Sequence, residues 1–205
     1  MNIERTGSGT EAIVAATRTW LERAVIGLNL CPFAKSVHVH DRIRYCVSEA
    51  RSPQALIEDL SRELRTLQAA DPGRCETTLL IHPWTLEDFL DYNDFLETVE
   101  AAVEALDLTG EIQVASLHPR YQFAGTGPDD IENYTNRSPY PTLHLLRESS
   151  IERAVAAFPD ASGIYEQNIE TLRRLGHDGW RRLWLADPPD EASAPATAVP
   201  ASRSR

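Results

Sequence analysis

Four short apolar runs, the first three separated by helical patterns, constrain the fold of this chain more than any other feature. Arg42 to Ser48 (RIRYCVS) alternates as a half-buried strand does, with Ile43, Tyr45 and Val47 on one face and Cys46 on the other. Thr77 to His82 (TTLLIH), Glu111 to Leu117 (EIQVASL) and Thr142 to Arg147 (TLHLLR) read as three more strands. Between the first two, Ser52-Pro53 opens a helix whose stripe is Leu56, Ile57, Leu60, Leu64 and Leu67, and Asp71-Pro72-Gly73 stops it. A second intervening helix spans about Thr85 to Leu106, with Phe89, Leu96, Val99, Val103 and Leu106 on one face.

Strands that alternate with helices pair in parallel through right-handed crossovers, so the first three strands are expected to run parallel and end on one edge. No helical pattern separates the third strand from the fourth, which is expected to run antiparallel. A leading helix starts at the capping pair Ser8 and Glu11 and carries Ile13, Thr17, Trp20, Leu21, Ala24 and Val25 to about Gly27. Two short helices, about Ile151 to Phe158 and Gly163 to Leu175, follow the last strand, and HDGWRRLWL closes the fold. The expectation is one layered α/β domain over residues 10–185, a mixed four-stranded sheet covered by helices. A flexible lead over 1–9 and a disordered Pro/Ala/Ser-rich tail over 186–205 flank it.

Composition narrows the partners. With 20 Lys and Arg against 31 Asp and Glu the formal net charge is −11, which argues against broad binding to nucleic acid or to anionic membrane. No stretch approaches the roughly 20 apolar residues that span a bilayer, and MNIERTGSGTEA lacks the pattern of a signal peptide. Cys31, Cys46 and Cys75 show neither metal-ligand spacing nor an even disulfide framework, so a reducing cytoplasm is the expected compartment. No feature specifies an oligomeric state.

Function is expected in the long connection from His118 to Glu148, HPRYQFAGTGPDDIENYTNRSPYPTLHLLRE. It far exceeds the roughly 4 to 6 residues that usually link elements in compact domains, and long polar loops carry binding or lid roles. Arg120 and Arg137 are candidate anion clamps, since guanidinium groups grip carboxylate or phosphate in a bidentate manner. Tyr121 and Tyr134 offer stacking surfaces, and Asn133 and Asn136 directed hydrogen bonds, which suits a small-molecule ligand. The alternative is that these side chains only satisfy turns and caps, with Asp129, Asn133 and Asn136 as turn formers and the arginines paired to local acids.

His82-Pro83 and His118-Pro119 each close a strand, and the proline keeps each histidine extended at the carboxyl edge, where open α/β sheets bind ligands. His144 lies two residues into the fourth strand. Together the three imidazoles make a donor set that admits zinc or iron, although no H-x-x-x-H spacing is present; each is equally readable as a hydrogen-bonded structural histidine. Cys31, in GLNLCPFAK, reads either as a nucleophile activated by Lys35 or a histidine, or as an inert buried thiol. Neither G-x-G-x-x-G nor G-x-x-x-x-G-K-[ST] occurs, which gives no evidence for NAD or for P-loop nucleotide binding.

The pairing of GLNLCPFAK with HPRYQFAGTGPDDIENYTNRSPYPTLHLLRE, over about residues 10–185, resembles the mostly bacterial family catalogued as domain of unknown function 1415. The resemblance implies a shared single-domain unit and transfers no catalytic residue. From the residues, the leading expectation is an enzyme on a small polar or anionic metabolite, with His118 as acid or base, Asp130 orienting it, Arg120 and Arg137 holding the anion and Cys31 a candidate nucleophile. A metal-dependent enzyme built on His82, His118 and His144, and a ligand-sensing or partner-binding module, are the alternatives.

Overall fold

The computed structural model describes residues 5–157 and 163–185; the expected tail over 186–205 and the first four residues of the expected flexible lead lie outside them. Helix α1 (Arg5–Trp20) already contains the Ser8 capping pair and runs on into a π-helical turn over Leu21–Ile26. A short helix α2 (Ala34–Val39), which the sequence pattern does not announce, leads to strand β1 (Ile43–Val47). Then come α3 (Pro53–Ala69), β2 (Thr77–Ile81), α4 (Phe89–Ala105), β3 (Ile112–Leu117), a 3₁₀ turn (Ile131–Asn136), β4 (Thr142–Arg147), α5 (Glu148–Ala157) and α6 (Ile164–Arg182).

The expected strand directions hold. The sheet order is β1-β2-β4-β3, with β1 parallel to β2 and β4 antiparallel to both β2 and β3, so β1, β2 and β3 point the same way. β4 fills the gap between β2 and β3, an order that the one-dimensional pattern does not encode. Because Leu79 faces His144 and His144 faces Ala115 across the ladders, the alternation assigns each side chain to a face. Cys46, Leu80, Leu143, Leu145, Ile112 and Val114 pack beneath α3 and α4 with Leu56, Leu60, Leu64 and Val99. Ile43, Tyr45, Leu79, Ile81 and Leu117 line the opposite face, against Ile13 of α1 and the cluster formed by Trp20, Leu21, Leu172 and Trp180.

Helix ends follow local chemistry. The Ser52 side chain accepts from the Ala55 N–H at 3.3 Å with Pro53 in the first turn of α3. At the other end of that helix, the buried Arg147 guanidinium donates to the carbonyls of Leu67 and, at 2.7 Å, Ala70, placing positive charge on the orphan acceptors of the helix C-terminus. α4 starts at Phe89, the first residue of its apolar stripe and four residues later than the expected start near Thr85, because the Asp88 carboxylate accepts from Leu90 N–H at 2.9 Å. The segment from His82 to Asp88 is a loop, with Leu86 at φ 56°; it carries His82, and its Leu86 carbonyl meets His118.

Tyr92 on α4 holds the sheet's carboxyl rim together. Its hydroxyl donates to Thr142 O at 2.9 Å and accepts from Leu117 N–H at 3.1 Å, bridging the start of β4 and the end of β3. Tyr92→Phe removes both hydrogen bonds at the strand ends and is expected to destabilise by about 2 kcal/mol in urea unfolding. A loss under about 0.5 kcal/mol would mean that water bridges the strand ends in its place.

Candidate functional site

The rim carries His82 and His118 side by side, as expected, but in a neutral, hydrogen-bonded setting. Tyr92 lies between them, its ring centroid 5.7 Å from His82 and 5.1 Å from His118. His118 Nε2–H donates to Leu86 O at 3.2 Å, and its Nδ1 accepts from Arg120 N–H at 3.0 Å, so both ring nitrogens are committed to backbone. Burial, with Arg120 alongside, lowers its pKa. His82 Nδ1–H donates to Thr85 O at 3.1 Å, and burial pushes its pKa down to about 4.

His144 does not join them. It sits mid-strand, opposite Leu79 and Ala115, and its Nε2 lies 2.8 Å from Thr77 Oγ1, at the far end of β2. Among the described residues no three His, Cys, Asp or Glu side chains converge so as to hold a metal, and the set His82, His118 and His144 is not brought together.

Most polar side chains of the long loop are committed to shaping it. Asn133 is fully buried: its Oδ1 accepts from Phe123 N–H and Thr126 Oγ1, and its Nδ2 donates to Gly127 O. Asn136 Nδ2 donates to Ser116 O at 3.2 Å, stitching the 3₁₀ turn to β3. The exposed Asp130 accepts from Gly127 N–H at 2.7 Å and makes no contact with His118. Arg120 reaches back to Glu87 O and to Asp88 at 3.4 Å, away from Arg137. Tyr121 packs between Phe89 and Phe123, at 5.2 and 5.0 Å. Cys31 lies against the α1 and α6 cluster, and burial raises its thiol pKa, which keeps it protonated and poorly nucleophilic.

Arg137 and Tyr134 are the two candidate residues that reach a cavity. The Arg137 guanidinium carbon stands 4.3 Å over the Tyr134 ring; its Nε donates to Tyr121 O, its Nη2 to Pro128 O, and it pairs with no carboxylate among the described residues. Both line a cavity of about 630 Å³ between the loop, α1 and the end of α6, with Trp20, Arg23, Trp180 and Trp184 as further walls. Trp180 meets Tyr134 edge-on at 4.9 Å and Trp184 at 5.6 Å. The indole N–H of the buried Trp20 has no acceptor.

Sequence reasoning missed the three tryptophans because Trp20 and Trp180 lie at opposite ends of the chain. The visible signal was an aromatic pair four residues apart in GWRRLW, beyond a glycine. Gly176 has φ 64° and ψ 174°, so it breaks α6 and redirects Trp180 and Trp184 toward α1. Arg23 fastens that redirected end, donating to Leu183 O at 2.9 Å and Leu185 O at 2.7 Å. Arg23 itself lies in the π-helical turn, closed by Gly27 N–H to Glu22 O at 2.9 Å; such turns are frequent where a helix lines a site.

These features define a single-sheet mixed α/β protein with an aromatic, arginine-bearing cavity beside its carboxyl rim. The chain belongs to the family described as "Protein of unknown function (DUF1415)", whose match covers residues 12–182. No curated protein and no solved structure matches it. Among the described residues no helix is long and apolar enough to cross a membrane.

Proposed function

We propose that this protein binds a small organic anion with a flat, apolar body in the cavity between the long loop, α1 and the end of α6. The observation that carries the proposal is a guanidinium that lacks a carboxylate, Arg137, at the wall of a cavity lined by Tyr134, Trp180 and Trp184. Tyr134, Trp180 and Trp184 supply apolar area for a flat body, and Arg137, held against Tyr134, is oriented in advance for its charge. In this reading His118, Asn133 and Asp130 are the framework that sets the loop's shape, and Arg120 anchors it to the start of α4. Three unpaired cysteines support a reducing, cytoplasmic setting.

Calorimetry with 2-naphthoate and its neutral isostere 2-naphthamide tests the reading. Naphthoate is expected to bind at least roughly tenfold more tightly, the worth of a charge-assisted hydrogen bond. Arg137→Gln is expected to erase the preference. Equal affinity for acid and amide in the parent protein would remove the anion from the proposal.

A further inference from the structure

The chain leaves the described fold at the wall of the aromatic cavity. Leu185 is the last described residue before 186–205, and its carbonyl accepts from Arg23 at 2.7 Å, itself a lining residue of the cavity. Trp184 lines the cavity too, yet it is 40 % exposed, and Leu185 is 64 % exposed. Large apolar side chains are thus left uncovered at the point from which more chain follows.

Charge and backbone chemistry point to that following chain as the cover. Arg23 and Arg137 line the cavity with no carboxylate among its described lining residues, and Arg181 and Arg182 occupy the last turn of α6. Residues 186–191 (ADPPDE) have the opposite sign: Asp187, Asp190 and Glu191 are acidic, and no basic residue occurs again before Arg203. Pro188-Pro189 favours the extended polyproline helix, a preformed conformation that docks on aromatic grooves at little cost in chain entropy. With three residues per turn, Asp187 and Asp190 fall on one edge of that helix and the two prolines on the others, so a carboxylate edge and a proline edge can enter one groove together. At about 3.1 Å per residue Asp187 and Asp190 stand roughly 9 Å apart, comparable with the side of a cube of the cavity's volume, about 630 Å³.

We propose that residues 186–191 dock back into this cavity, with the prolines on the aromatic rings and a carboxylate on Arg137, so that the chain carries its own competitor for the site. The competition rests on the anion-binding reading of the cavity. The contact itself does not.

The contact is tested in the full chain, isotope-labelled at proline, with no ligand added. Stacking on indole rings is expected to move the side-chain proton resonances of Pro188 and Pro189 upfield, and Pro188→Ala and Pro189→Ala give the assignment. Trp184→Ala, or Asp187→Asn, Asp190→Asn and Glu191→Gln combined, is expected to abolish the shift. The combined acidic variant alters no residue of the described fold, and it is expected to bind 2-naphthoate roughly tenfold more tightly than the parent, because the ligand no longer displaces a charge-assisted contact. Prolyl resonances at random-coil positions in the parent, or equal and measurable naphthoate affinity in parent and variant, would overturn the proposal. A shift that grows with protein concentration would also overturn it, by assigning the cavity to the same segment of a second copy. If naphthoate binds neither protein, the anion reading fails and the prolyl shifts alone decide the contact.

Discussion

Acidification from pH 7 to pH 4 is expected to remove about 3 kcal/mol of folding stability for each of His82 and His144, far more than the loss of any one surface contact. The cause is the same at both sites: burial holds each imidazole's pKa near 4, against 6.5 for an exposed histidine. Between those values the unfolded chain takes up a proton that the native chain refuses. Stability is therefore full above about pH 6.5, falls as pH drops, and the loss is complete below about pH 4. His118, lowered in the same direction, adds to the slope.

The hydrogen bonds explain why neither ring accepts charge. His82 is 0 % exposed; with Nδ1–H given to Thr85 O, its Nε2 has no partner, so a second proton would be a buried donor with no acceptor. At His144, the Thr77 hydroxyl lies 2.6 Å from Leu145 O and must donate there, so its lone pair accepts from His144 Nε2–H. Urea unfolding at half-unit steps of pH is expected to give a slope near pH 5 of about two protons per molecule. His144→Gln, which keeps an N–H for Thr77, is expected to lower that slope by about one. A parent slope below about one proton, or one that His144→Gln leaves unchanged, would show that these rings ionise in the native state.

The same hydrogen bonds show what a sequence can and cannot disclose. Strand direction was legible because alternation at Ile43, Tyr45 and Val47 and the helical stripe at Leu56, Leu60 and Leu64 are local patterns with one physical reading. Proline after His82 and His118 fixed their rim positions for equally local reasons. The roles of the loop side chains were not legible. Whether Asn133 faces a ligand or its own loop depends on the Phe123 N–H, the Gly127 carbonyl and the Thr126 hydroxyl folding around it, and backbone groups leave no mark in the sequence. His144 was placed near the rim from its position in the chain. The ladder puts it two residues inward, where Thr77 claims it. The aromatic cavity needs Gly176 to break a helix and Arg23 to hold the broken end 160 residues away, a tertiary condition that no sequence window contains.

Arg44→Met is expected to destabilise by about 3 kcal/mol, whereas Glu63→Leu costs less and the double variant recovers most of the loss. The asymmetry comes from burial. The Glu63 side chain is 3 % exposed and that of Arg44 45 %, joined by Nε to Oε2 at 2.6 Å and Nη2 to Oε1 at 3.2 Å. Removing the arginine strands a carboxylate beneath α3 with little besides the Cys46 thiol, a weak donor whose own pKa is driven up to about 11, chiefly by burial and then by Glu63. Removing the glutamate instead leaves a guanidinium that already reaches water and rehydrates at small cost. Replacing both fills the space with apolar atoms and leaves no buried charge, so the cycle should return a coupling of opposite sign to the Arg44→Met loss. Urea unfolding of the four proteins measures it, and equal losses from Arg44→Met and Glu63→Leu would mean that Glu63 reaches solvent when its partner is gone.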